Sequence, residues 1–176
     1  TITPLLDSMK AMRRRKVEKE DLPKDTLAIL NLANQAIVKI PNVQSFSIPE
    51  EWSGHLAYLL DPIKIPEDTT VADSLKIVPK PSNDENGYTL ILRDLSSARQ
   101  DTFRYVMDYK FSKYNHQLVF QSTGDSTFLP GIYHFDCKKS RLQPLFRQEG
   151  KYKRLTFDEH GNQVAFLADL DTSKHT

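Results

Sequence analysis

Apolar and polar positions along this chain fall into short blocks that recur. An apolar residue or alternating run leads into a polar turn around Gly, Asn or Ser, and then into a dense aliphatic and aromatic core. The cores are Leu56-Ala57-Tyr58 in IPEEWSGHLAYLLD (48–61), Leu118-Val119-Phe120 in FSKYNHQLVFQSTGD (111–125) and Val164-Ala165-Phe166 in FDEHGNQVAFLADLD (157–171). Each block predicts a hairpin. A second hairpin type alternates with the first: DTLAILNL (25–32) returning as AIVKI (36–40), YTLILRDL (88–95) as RQDTF (99–103), and GIYHFDC (131–137) as RLQPLF (141–146). The repeating unit is therefore four short strands separated by turns.

The period supports an architecture. Asp94 aligns with Asp136 at a step of 42 residues, the length of a four-stranded propeller blade, whereas Leu32 aligns with Leu95 at a step of 63. The surplus lies between Asp61 and Gly87, in PIKIPEDTTVADSLKIVPKPSNDEN, which holds four of the ten prolines and shows no strand alternation. Residues 62–86 are expected to be a poorly ordered loop inserted between the second and third strands of a blade. Runs such as Leu118-Val119-Phe120 and Val164-Ala165-Phe166-Leu167-Ala168 are apolar on both faces, which a strand tolerates only when covered on both sides. Stacked blades supply that cover. The expectation is an all-β fold, a partial β-propeller of about two full blades and two half-blades over 23–176, with a lead-in at 1–22.

The lead-in carries Leu5, Leu6, Met9, Met12 and Val17 at near-helical spacing, with Asp7 early and basic residues later. It is read as a short helix or an extended segment, closed by Pro23. The absence of an initiator Met suggests a piece of a longer protein.

Composition narrows the chemistry. A formal charge of +1 over 176 residues gives no net field to draw nucleic acid or an anionic membrane. The run Arg13-Arg14-Arg15-Lys16 is read as a solvated helix face, since acidic Glu18, Glu20 and Asp21 follow it. Neither a nucleic-acid partner nor membrane insertion is expected. The single cysteine, Cys137, excludes an internal disulfide framework and reads as a small residue at a strand end.

The phrases FDEHGNQVAFLAD and FSKYNHQLVFQST resemble the F-S-P-D-G-x-x-[LI]-A-[FY] blade motif of TolB-type propellers and of the propeller of prolyl oligopeptidase-family serine peptidases. With LPKDTLAILNL, KIPNVQSFSIPEEWSGHLAYLL and NGYTLILRDL added, 22–174 is similar to the propeller of the long bacterial, secreted or periplasmic members of that family, the dipeptidyl peptidase IV-like enzymes among them. The resemblance implies a non-catalytic scaffold and substrate-access filter, partnered in the parent by an α/β-hydrolase domain and by peptide substrates. The alternative is a TolB-like module for protein–protein interaction with no peptidase role. Because the blades are expected to be cut out of phase, self-association through open edges is a further expectation.

Candidate site residues are few. No G-x-S-x-G nucleophile elbow surrounds any of the six glycines, so no catalytic residue, cofactor or metal ligand is assigned. Glu50-Glu51 resembles the paired glutamates with which dipeptidyl peptidases hold a substrate's amino terminus, but the pair stands in a strand-to-strand turn and reads as solvated charge. His55, His116, His134, His160 and His175 have no metal-ligand spacing. Trp52 reads as packing over a blade edge, and Asp125-Ser126-Thr127 lacks a base placed to activate a hydroxyl.

Overall fold

A computed structural model describes residues 6–16, 24–61, 82–125 and 128–171. Among the described residues the lead-in forms a helix, α1 (Leu6–Arg14), with Asp7 in its first turn. Arg14, Arg15 and Lys16 are exposed, as expected of a solvated face. Eleven strands follow: β1 (Leu27–Leu30), β2 (Ile37–Ile40), β3 (Val43–Ser47), β4 (His55–Leu60), β5 (Tyr88–Asp94), β6 (Gln100–Phe111), β7 (Gln117–Ser122), β8 (Gly131–Asp136), β9 (Arg141–Arg147), β10 (Lys151–Phe157) and β11 (Val164–Asp169). All pair antiparallel with their sequence neighbours, β1 with β2, β10 with β11, and β3 to β9 in one continuous order.

The continuity of that seven-stranded order hides two blades. Residues 100–103 of β6 pair with β5 and residues 108–111 with β7, while Val106 between them pairs with Tyr88 on one side and Ser122 on the other. One strand thus closes the outer edge of the first blade and begins the innermost strand of the second. The sequence pattern expected two strands here, RQDTF and DYKFS, and the structure joins them through Tyr105, whose φ is +57°. An equivalent seam joins β2 to β3 through Asn42, at φ +59°. Asn tolerates this left-handed conformation, but a bulky aromatic does so only under constraint. In both seams the carbonyl of the left-handed residue accepts a hydrogen bond from the residue that follows the blade's second strand: Asp61 N–H to Asn42 at 2.8 Å and Thr123 N–H to Tyr105 at 2.9 Å. Ser122 Oγ also donates to the Arg104 carbonyl at 3.1 Å. The fold is therefore a partial β-propeller, with blades β3-β4-β5-β6 and β6-β7-β8-β9, an outer hairpin β1–β2 before them and an inner hairpin β10–β11 after.

Blade stacking follows the pleat. Along β4, Leu56 and Tyr58 face the cluster with Leu27, Val43 and Ile91, whereas Ala57 and Leu59 face the cluster between the two blades. Along β7, Leu118 and Phe120 join that same inter-blade core, while Val119 packs with Ile132, Tyr152 and Leu155 of the third layer. Second strands are buried on both faces, as the apolar runs required. The exception is β11, where Ala165, Leu167 and Ala168 are exposed and only Val164 and Phe166 pack inward. The expectation of two-sided burial fails there because β10–β11 is the outermost described layer and covers the stack on one side only.

The three outer hairpins share one turn. Asn31, Asp94 and Asp136 each end a third strand, and each Oδ1 accepts from the N–H groups two and three residues on. The fourth residue on is left-handed in every case: Gln35, Ala98 and Ser140. A short polar side chain thereby substitutes for backbone partners at the turn.

The Pro-rich insertion leaves after β4 and returns before β5, between second and third strands as expected. Residues 62–81 lie outside the described residues. The expectation of poor order for 62–86 does not hold at its end, because Asn83 Oδ1 accepts from the N–H groups of Glu85 and Asn86 at 3.0 and 2.8 Å and fixes a turn before Gly87.

Gly87 has φ +89°, and a Cβ there would come within 2.6 Å of the Tyr105 carbonyl carbon. Gly87→Ala should cost about 2 kcal/mol or more, because it opposes the seam as well as its own backbone conformation. Ala98→Gly, at an exposed left-handed turn residue, should instead add a few tenths to about 1 kcal/mol. Urea denaturation of both variants checks the opposite signs.

Candidate functional site

In an antiparallel blade the first and third turns lie at one end, so the hairpin turns of all blades gather on one face of the stack. There the structure brings together residues some sixty positions apart. The Trp52 indole donates to the Ser112 carbonyl at 2.8 Å. Its ring lies 4.6 Å from His116, 5.3 Å from Phe111 and 5.6 Å from His55, centre to centre. The same 112–116 turn is held from its other side, where Asn115 Nδ2 donates to the His160 carbonyl at 2.8 Å and Ser112 Oγ abuts Gly161. Further out, the Arg99 guanidinium donates to Ser140 Oγ of the next blade. Neighbouring turns are thus clasped to one another along this face.

Burial pushes the His55 and His116 imidazoles below the ordinary value of 6.5; Lys138 and His55 add repulsion at His116, and Arg99 opposes the charge at His55 while Asp94 favours it. His55 Nδ1 is buried without a partner among the described residues. Two neutral imidazoles packed on an indole form a pH-sensitive clasp, and Trp52 takes the packing role read from the sequence. His134, on β8, is likewise lowered by burial. Among the described residues no three or more His, Cys, Asp or Glu side chains converge to hold a metal.

The remaining sequence candidates stay apart. Glu50 and Glu51 are exposed in the turn, with the Glu51 N–H donating to the Lys113 carbonyl at 3.3 Å. Asp125 closes a small turn by accepting from the Phe128 N–H at 2.7 Å; Ser126, Thr127 and His175 lie outside the described residues. Cys137 is buried at the end of β8, and desolvation pushes its thiol up to about 12.

The opposite face carries a feature that the sequence reading did not single out. A cleft of about 510 Å³ opens between the two layers formed by β6–β7 and β10–β11, lined by Glu85, Met107, Gln121, Lys151, Tyr152 and Lys153. Gln121 is only 6% exposed, yet its Oε1 has no hydrogen-bond donor among the described residues. Asp84, at the rim, accepts from the Tyr88 hydroxyl at 2.5 Å. Burial and this carboxylate together push the Tyr88 phenol up to about 12. The signal that could have found the cleft is internal: in the aligned second strands, Leu59 and Leu167 stand where β7 has Gln121.

No protein-family model and no curated relative matches the chain. Solved structures that resemble it include the acylaminoacyl peptidase of Pyrococcus horikoshii, 12% identical, matched over 68% of this chain and 16% of that one with a TM-score of 0.41. Another is the β-propeller domain of the Trilobed protease from Pyrococcus furiosus, 13% identical, matched over 69% of this chain and 32% of that one, also at 0.41. The chain spans less than a third of the length of either.

The lowered histidines fix a direction of pH dependence. Below 6.5 the unfolded chain takes up protons that the folded His55, His116 and His134 refuse, so stability falls as pH drops through that value and levels off once the folded groups titrate. A second loss should follow in acid, where Asp136 and Asp158, held below 3.8 chiefly by turn N–H groups, are protonated. Thermal midpoints measured across pH should show both steps. Replacing His55 and His116 together by Gln should shrink the first to the part that His134 contributes and leave the second.

Proposed function

We propose that this chain is part of the propeller of a prolyl oligopeptidase-type serine peptidase of the bacterial, secreted or periplasmic kind. In the parent it serves as a non-catalytic scaffold and access filter beside an α/β-hydrolase domain, past which peptide substrates reach the site of cleavage. The observation that carries this reading is the way the blades are locked. The second strands β4 and β7 are buried on both faces, and the turns of the two blades and of the β10–β11 layer are clasped to one another by Trp52, Asn115 and Arg99. A filter that excludes by size needs walls that do not open under load, and close-packed layers with tied rims provide them.

The blade motif of the sequence adds the family reading to this geometry, and a TolB-like interaction module remains the rival. A fluorophosphonate probe should leave this chain unlabelled, because acyl transfer needs an activated nucleophile and an oxyanion hole. In the full-length protein that carries the chain, the probe should label one serine outside residues 1–176, and short chromogenic peptides should be cleaved in preference to a folded protein substrate. Labelling within this chain, or equal cleavage of both substrates, would overturn the filter. A full-length protein with no reactive serine would select the interaction module.

A further inference from the structure

We propose that the cleft between β7 and β10 is a binding site for a short peptide, with the Gln121 carboxamide pairing to a backbone amide of the ligand. The inference does not depend on a hydrolase partner, since the site is built by this chain alone.

The repeat supplies a built-in comparison. Leu59 on β4 and Leu167 on β11 occupy the position of Gln121, so a blade's second strand needs no polar group there. Leu59 is buried in the inter-blade core, which shows that an apolar side chain fills this place satisfactorily. A buried amide oxygen left without a donor costs about 1–3 kcal/mol. Gln121 bears that cost at a position where the fold offers an alternative, and it does so on the wall of a cleft rather than in a closed core.

The chemistry of the cleft specifies the ligand class. A carboxamide both accepts and donates, which complements a peptide unit, itself one N–H donor and one C=O acceptor. The cleft volume of about 510 Å³ lies within the range of small-ligand sites, and Met107 and Tyr152 give it apolar walls. Its rim bears both signs of charge, Asp84 and Glu85 from the turn before β5, Lys151 and Lys153 from β10. A short zwitterionic peptide carries a matching pair, an ammonium at one end and a carboxylate at the other, with amides between. Phosphate or nucleotide ligands would meet the two carboxylates unfavourably, and a purely apolar ligand would leave Gln121 unpaired.

The test uses triglycine and trisarcosine with the ¹⁵N-labelled 176-residue chain. Trisarcosine keeps the carbonyls and the charged ends but lacks peptide N–H groups, so none of its backbone amides can donate to Oε1. Triglycine should shift the Gln121 side-chain amide and the Tyr152 and Lys153 backbone resonances, and trisarcosine should bind about tenfold more weakly or worse. Gln121→Leu should reduce triglycine affinity by a similar factor while the thermal midpoint of the unliganded protein holds or rises. Unmoved Gln121 resonances, equal binding of the two tripeptides, or unchanged affinity in the Leu variant would each overturn the site. A lowered midpoint in that variant would also overturn it, by showing that Gln121 is retained for the fold.

Discussion

The structure hinges on a single backbone reversal at each of the two seams that enter the complete blades, β2 to β3 and the middle of β6. A chain that has reached the outer edge of one blade must cross to the innermost position of the next, and Asn42 and Tyr105 make that crossing in the left-handed conformation. For Tyr105 the conformation costs about 1–2 kcal/mol. The cost is offset locally, because the Tyr105 ring is buried, its carbonyl and that of Arg104 are capped from the end of β7, and Gly87 leaves room for the backbone. Were the seam straight, β6 would continue one flat sheet, and Leu90 and Leu118 could not meet in the same core.

Burial and polarity then sort themselves by position in the stack. Residues of β4 and β7 are covered from both sides and can be uniformly apolar, while the outer strand β9 carries exposed Leu142 and Leu145 beside Arg141 and Arg147. Chemistry is consequently found between layers. On the turn face the contacts of Trp52, His55 and His116 act as a clasp, and on the opposite face the same spacing between layers leaves a cleft beside Gln121. Rigidity and recognition thus come from the same stacking, at opposite ends of the strands.

Much of this was legible in the sequence, for identifiable reasons. The outer-hairpin turns are marked by the polar breaks between paired apolar runs, although the capping by Asn31, Asp94 and Asp136 is seen only in the structure, and the aliphatic cores of β4 and β7 reveal two-sided burial directly. The 61–87 insertion was placed by simple arithmetic on the repeat. Other features had no local signal. Nothing about a tyrosine announces φ +57°, so β6 read as two strands. Leu167 reads like Leu59, although only one of them has a neighbouring layer on both sides. The clasp around Trp52 depends on contacts across about sixty residues of chain, which periodicity cannot see. Gln121 was visible as the odd member of an aligned set, but its meaning required knowing that the position is buried.

Native-state hydrogen exchange tests the seam account most directly. The amides of β4 and β7 should exchange only by global unfolding, and the Asp61 and Thr123 amides, which cap the left-handed carbonyls at 2.8 and 2.9 Å, should share that protection despite lying beyond the strand ends. The β1–β2 and β10–β11 hairpins should exchange sooner. Rapid exchange at Asp61 and Thr123 while β4 and β7 remain protected would contradict the account, since the blades would then be joined by something other than the capped reversal.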